Sequence, residues 1–213
     1  MILGTWNMQG SSASTENKWN SGVLAMFTQL HLEVCCLQEC GGVPDSAQLV
    51  QNYHGIELYT WGTERSRKYI LFYPWDQGGN RCNLAIVSRS QILQPALLYP
   101  TAGPVWRPAL GANLNGLWLF SIHAISPNGP DAPGLLNAIA LYAGTAGWVA
   151  AGDYNREPHT LAVPWTVNPP NGVTRPASGV AIDYAVGTNP RPVTGQVVSG
   201  LLLSDHYPVL YSL

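Results

Sequence analysis

Polar residues with chemical potential stand at the ends of short apolar runs throughout this chain: Trp6-Asn7, Gln38-Glu39, His123, Gly152-Asp153-Tyr154-Asn155, Ile182-Asp183-Tyr184 and Ser204-Asp205-His206. A strand built from such a run delivers its last residues to the rim of a sheet. Gathered there, they would supply hard oxygen donors for a cation, amides and carboxylates to orient a nucleophile, and two imidazoles that exchange protons near neutral pH. A divalent ion polarises a phosphoryl oxygen while a histidine manages the proton. The chemistry this points to is metal-assisted hydrolysis of a phosphoester.

Each cluster taken alone has a plainer reading. Glu39 follows Val34-Cys35-Cys36-Leu37, where a carboxylate is costly unless paired or bound to a metal, yet a solvated strand edge would also hold it. Asp153 and Asn155 alternate beyond Trp148–Gly152, so both are expected on one face of a strand end; alone they would pass for an Asx turn. His123 ends Leu119-Phe120-Ser121-Ile122, the setting of a satisfied core histidine. Asp205-His206 is less easily dismissed, because it precedes Pro208 where a loop must re-enter a sheet. Asp183 is placed to orient one imidazole and stabilise its cation.

The elements that must position these groups follow from local pattern. Ile2–Trp6 reads as a first strand, and Ser11–Thr15 offers N-cap residues for a helix from about Glu16 to Leu30. Trp19, Val23, Phe27 and Leu30 recur at helical spacing and should pack on a sheet. Val34–Leu37, Glu57–Thr63, Tyr69–Tyr73, Asn83–Ser88, Trp148–Ala151, Ile182–Val186, Val197–Leu203 and Val209–Leu213 read as strands. Asn115-Gly116 marks a hairpin whose second strand runs on to His123. Leu135–Tyr142 is a short helix, and residues 168–176 form a Pro/Gly/Asn loop. The expected fold is α+β: a four-layer α/β/β/α sandwich of two mainly antiparallel sheets flanked by helices. With no repeat, low-complexity tract or linker, residues 1–213 are expected to form a single domain.

Composition narrows the function classes. The chain is 46% hydrophobic and only 10% charged, with 22 Gly and 17 Pro, so a substantial core is available while the surface relies on uncharged polar groups. A net charge of -2 supplies no general attraction for nucleic acid; a polyanion would have to be held by local arginines and a metal. No apolar run is long enough to span a membrane, and no signal peptide is expected in this chain. Cys35, Cys36, Cys40 and Cys82 make no zinc pattern. Cys35 and Cys36 read as core thiols, and a Cys40–Cys82 disulfide is compatible with the sequence without being required by it.

The ordered set of clusters, spanning nearly the whole chain, resembles the endonuclease/exonuclease/phosphatase superfamily, which includes the pancreatic-type deoxyribonucleases. Within it, Thr5-Trp6-Asn7-Met8-Gln9-Gly10 and Glu16-Asn17-Lys18-Trp19-Asn20 look like the catalytic B chains of cytolethal distending toxins. Gly79-Asn80-Arg81-Cys82-Asn83-Leu84-Ala85, Arg107-Pro108-Ala109-Leu110-Gly111 and Arg156-Glu157-Pro158 support that match. The chain departs from those toxin proteins in Met8, Tyr154 and Tyr207, which keep bulk, and in being shorter.

The resemblance implies roles residue by residue. Glu39 would be the Mg²⁺ ligand, with Mn²⁺ or Ca²⁺ as substitutes, and Asn7 would help to hold metal and scissile phosphate. Asp153 and Asn155 would align the attacking water and stabilise the phosphorane. His206, paired with Asp183, and His123 would be the acid/base and phosphate-binding imidazoles, with Asp205 completing the metal-side network. Arg81 and Arg107 would touch substrate phosphate, unless either folds over an aromatic ring such as Trp106.

Three function classes follow from these residues. The first is a Mg²⁺-dependent DNA endonuclease, secreted or delivered into a host cell with carrier subunits. The second is a phosphomonoesterase acting on a phosphoinositide or another small phosphate. The third is a non-catalytic binding module on a decayed nuclease fold.

Overall fold

The apolar runs that end in polar clusters become the inner strands of two sheets in the computed structural model, which describes residues 1–10, 17–75, 81–188 and 195–213. Among these residues the strands are β1 (Ile2–Asn7), β2 (Val34–Gln38), β3 (Gln48–Tyr53), β4 (Ile56–Trp61), β5 (Lys68–Tyr73), β6 (Leu84–Ser88), β7 (Gln94–Leu98), β8 (Ala109–Leu114), β9 (Leu117–His123), β10 (Trp148–Asp153), β11 (Thr166–Asn168), β12 (Asp183–Gly187), β13 (Gln196–Val197) and β14 (Val209–Ser212). One sheet runs β13-β14-β1-β2-β6-β5-β4-β3 and the other β11-β12-β10-β9-β8-β7. Pairing is antiparallel except between β1 and β2 and between β9 and β10. The expected sandwich of two mainly antiparallel sheets is the observed architecture.

Strand periodicity explains the layering. In β2, Val34 and Cys36 face the opposite sheet, whereas Cys35 and Leu37 face the helical segment with Trp19, Val23 and Phe27. In β10, Val149 and Ala151 enter the central core, while Trp148 and Ala150 pack beneath the second helix with Leu135 and Ile139. A strand buried on both faces needs apolar side chains in both phases, which is why these runs read as continuously apolar rather than alternating. Three apolar layers thus separate four structural ones.

The first helical segment comprises a π-helical stretch, Lys18–Val23, continuing into α1 (Leu24–Gln29). Gly22 sits in the wide turn, where an added Cβ would come within 2.7 Å of the Trp6 indole. Trp19, Val23 and Phe27 are buried as expected, with Leu30 packed against them; the capping stretch Ser11–Thr15 lies outside the described residues. The second helix, α2, spans Ala132–Ala143, three residues longer at its start than Leu135 because Pro133 sits in the first turn, where its missing N–H is harmless.

Some boundaries shift for physical reasons. The strand read over Val197–Leu203 stops at Val197, because the chain turns at Ser199-Gly200 and leaves Leu202 in solvent. Strand β10 extends two residues beyond Ala151 to include Asp153 itself. Cys40 and Cys82 are thiols rather than a disulfide, with Cys40 directing its Sγ to the Asn83 carbonyl at 3.4 Å, so the Cys40–Cys82 bridge is not formed. No helix among the described residues is long and apolar enough to cross a membrane.

Close packing of β10 against β9 depends on one glycine. A Cβ at Gly152 would lie 1.9 Å from the Ile122 carbonyl oxygen. Gly152→Ala should therefore destabilise the protein by about 1–3 kcal/mol or more, whereas Gly200→Ala, with nothing within 4 Å of its added Cβ, should stay within about 0.5 kcal/mol. Urea denaturation of both variants measures the contrast.

Candidate active site

Strand register assembles the polar clusters. Asn7 pairs with Gln38 across β1 and β2, placing Glu39 one residue beyond on the same rim. Asp153 pairs with His123 on one side and Asp183 on the other. The loop before β14 brings Asp205 and His206 over both rims. A pocket of about 410 Å³ opens there, lined by Glu39, His123, Asp153, Asn155, Asp205 and His206 together with Arg81 and Arg107. A cavity of about 490 Å³ lined by Ile2, Leu30 and Val197 carries no carboxylate, imidazole or guanidinium.

Asn7 ties the two sheets together at this pocket. Its Nδ2 donates to Asp153 Oδ2 at 2.9 Å and approaches Glu39 Oε1 at 3.4 Å, while its Oδ1 accepts from Gln9 N at 2.9 Å. His123 Nε2 faces the same carboxylates, 3.7 Å from Glu39 and 3.8 Å from Asp153. His123 Nδ1 is buried without a hydrogen-bond partner among the described residues, unlike a satisfied core histidine. His206 Nδ1 lies 2.8 Å from Asp183 Oδ2, and Trp6 Nε1 donates to the His206 carbonyl at 3.0 Å. The polar rim therefore connects two sheets whose interior contact is apolar.

Three non-glycine residues on this rim have left-handed backbones: Gln9 at φ 48°, Glu39 at 46° and Asn155 at 50°. Such conformations cost on the order of 1–3 kcal/mol each and persist only where surroundings enforce them. Gly10 provides part of the enforcement, since a Cβ there would lie 2.0 Å from the Glu39 carbonyl oxygen. At Asn155 the turn is closed by its own N–H donating to Asp153 Oδ1 at 2.8 Å. Asp153 and Asn155 thus line one pocket through an Asx turn rather than by alternation along a strand, and the Asn155 amide donates to the Ala124 carbonyl at 2.8 Å.

Burial sets the electrostatics. It raises the Glu39 carboxyl above the usual range, opposed by the Asn7 hydrogen bond and by Arg81, His206 and Arg107. Burial and the neighbouring charge of Asp183 raise Asp153 to about 7. His123 is driven well below the usual imidazole range by burial, then by Arg107, His206 and Arg81, and is neutral near pH 7. Burial alone would lower His206, but the charge and hydrogen bond of Asp183, with Asp153 and Asp205, hold it at about 9. One neutral and one cationic imidazole therefore face a site rich in carboxylate.

That excess of buried negative charge fits a cation. Glu39 offers an oxygen ligand at the open pocket, its side chain 17% exposed and its nearest guanidinium, Arg81 Nε, 4.0 Å away. Asp153, Asp183 and His206 also bring three ligand atoms within 4.8 Å of one another. All three are buried, however, and the His206 nitrogen facing Asp183 is already committed to it. A small hard ion that keeps water in its coordination shell is better accommodated at Glu39.

Arg107 lines the pocket with Nη1 donating to the Ala124 carbonyl at 3.1 Å, and Arg81 is solvent-exposed beside Glu39. Asp205 Oδ2 faces Arg175 Nε at 3.9 Å. Arg175, Gln9 and Ser126 also line the pocket. Gln9 belongs to the Thr5–Gly10 motif without an assigned role, whereas Arg175 escapes sequence reasoning because its only signal is a lone cation in a Pro/Gly/Asn loop. Thr174 beside it accepts from the backbone N–H groups of Ile182 and Asp183 at 3.0 and 3.1 Å, which fixes that loop to the start of β12.

Known proteins share this chain's sequence and fold. A model of the Endonuclease/Exonuclease/phosphatase family matches residues 4–206. The chain is 32% identical to a Salmonella typhi homolog of the cytolethal distending toxin B chain, covering 97% of this chain and 87% of that protein. It is 30% identical to the B chain of the Escherichia coli cytolethal distending toxin, over 97% and 89% of the two chains. The Haemophilus ducreyi cytolethal distending toxin structure superposes with a TM-score of 0.88 at 30% identity, covering 99% and 96%.

The His206–Asp183 pair predicts a titration. The folded pKa of about 9 lies above the unperturbed 6.5, so this pair's contribution to stability is fully present below pH 6.5 and is lost as pH rises through about 9. In Asp183→Asn the largest raising cause is lost while burial remains, so the imidazole should titrate well below about 9. NMR titration of the His206 ring in both proteins measures the two midpoints.

Proposed function

The chain belongs to the endonuclease/exonuclease/phosphatase family, and from that premise we propose that it is a Mg²⁺-dependent DNA endonuclease resembling the catalytic subunit of cytolethal distending toxin. The observation that carries this reading is the Asn7 amide joining Glu39 and Asp153 at a pocket flanked by guanidinium groups. Carboxylates for a hard cation, imidazoles in two charge states and arginines for phosphate oxygens are the parts that phosphodiester hydrolysis needs.

Glu39 would hold Mg²⁺, for which Mn²⁺ or Ca²⁺ could substitute, with Asn7 setting its position relative to Asp153. When bound, the ion supplies charge neutralisation on the phosphoryl oxygens. Asp153, poised at about 7, is the carboxylate able to take a proton from an attacking water at neutral pH. The Asn155 amide plane is fixed by Ala124, leaving its second N–H for an oxygen of the phosphorane. His206 enters as an imidazolium held by Asp183 and donates to a phosphoryl oxygen; neutral His123 presents Nε2 to the same space.

Arg81 and Arg107 would grip substrate phosphate. Asp205 would complete the metal-side network and hold Arg175 at the pocket mouth. The relatives are named as toxin subunits, which supports carrier subunits as partners and delivery into a host cell.

A second substrate class is favoured by the compact pocket and a chain with only 10 Lys and Arg residues: a phosphomonoester such as a phosphoinositide, hydrolysed by the same groups. Supercoiled plasmid and an inositol phosphate, each with and without Mg²⁺, separate the two. We expect metal-dependent nicking that falls at least about 100-fold in Glu39→Gln and His206→Ala. Headgroup phosphate release without nicking would transfer the site to the second class. Nicking that persists in both folded variants would contradict the assignment.

A further inference from the structure

Beside the phosphate pocket lies a group of aromatic side chains that hydrolysis does not use. The β5–β6 ladder pairs Tyr73 with Leu84, and the β2–β6 ladder pairs Leu84 with Gln38, so Tyr73 and Trp75 leave β5 on the rim that carries Glu39. The β7–β8 ladder pairs Leu98 with Ala109, which brings Tyr99 and Trp106 to the same rim from the other sheet. The two sides meet: Tyr73 and Tyr99 share a hydroxyl contact of 3.3 Å, and the Trp75 and Trp106 rings are 6.1 Å apart at 43°.

A clasp between sheets would account for Tyr73 and Trp75, both half-buried. It does not account for Trp106, which remains 61% exposed at the end of an exposed stretch, residues 101–106. Trp106 immediately precedes Arg107, whose guanidinium lines the phosphate pocket. An exposed indole face one residue from a phosphate-binding arginine offers the two contacts made by one nucleotide: stacking for the base and a charge-assisted bond for its phosphate. Sparse Lys and Arg make a non-electrostatic contribution to strand binding the more necessary.

We propose that Trp106, braced by Trp75, is a stacking platform for an unpaired nucleobase next to the phosphate held at Arg107. The inference rests on the nucleic-acid reading of the site and gives it a substrate class: a phosphodiester strand with at least one base out of the duplex stack. A paired base already stacked on both faces cannot use the platform without leaving the helix.

The test measures binding in EDTA, where cleavage does not interfere, by fluorescence anisotropy of a labelled oligothymidylate and of an abasic strand with the same number of phosphates. Trp106→Ala should weaken oligothymidylate binding by about 5- to 150-fold, leave the abasic strand unchanged, and leave the salt dependence unchanged, because no phosphate contact is lost. Trp106→Phe should recover most of the affinity. Equal affinity of wild type and Trp106→Ala for both strands overturns the proposal, and so does an equal loss on both. Plasmid nicking by the wild-type protein in Mg²⁺ reports separately: stacking without nicking retains the platform and removes the nuclease assignment, while nicking without a Trp106 effect does the reverse.

Discussion

Two carboxylates from different sheets face one pocket, and their proximity is the constraint around which the rim is built. Glu39 follows β2 and Asp153 ends β10, so nothing in the local chain holds them together. The Asn7 amide does so, donating to Asp153 and approaching Glu39, with its own oxygen fixed by the Gln9 backbone. Similar cross-sheet ties recur nearby: Gln38 Nε2 donates to Ser121 Oγ at 2.9 Å, and His206 meets Asp183. Buried polar networks of this kind fix a geometry when their members are paired, and an unpaired member marks strain, a catalytic role or a site for water or an ion. At this rim His123 Nδ1 has no hydrogen-bond partner among the described residues, and burial raises the carboxyl groups of Glu39 and Asp153.

The apolar layers make this arrangement rigid. Strands buried on both faces fix register, and register alone aligns Asn7 with Gln38 and Asp153 with both His123 and Asp183. Three of the left-handed non-glycine residues, Gln9, Glu39 and Asn155, stand where register ends at this rim. Stacking of Tyr154 on Tyr184, with ring centroids 4.1 Å apart, supports the Asp153 and Asp183 strand ends from beneath. Packing, strain and charge therefore converge on a single rim.

Much of this was legible in the sequence because function here is written at strand ends. Most apolar runs predict a buried strand with a polar residue on the rim, and the Asn115-Gly116 turn and the Trp19, Val23, Phe27 stripe are equally clear; Val197–Leu203 is the exception, so Asp205 and His206 reach the rim from a loop. Edge strands were not legible. Strand β3 is exposed along most of its length and lacks an apolar face, while β7 carries Pro95 and is tolerated only as an edge. Arg175 reaches the pocket through tertiary folding of a loop, which no local pattern encodes. The left-handed turn at Asn155 depends on a hydrogen bond that alternation cannot foresee.

The central claim, that Glu39 and Asp153 are spaced by Asn7 around a cation-binding centre, is tested most directly by locating the metal. Crystals soaked in Mn²⁺ and measured for anomalous scattering should show one dominant peak at the pocket face of the Glu39 carboxylate, lost in Glu39→Gln. A peak enclosed by Asp153, Asp183 and His206 that is unaffected by Glu39→Gln would contradict the account.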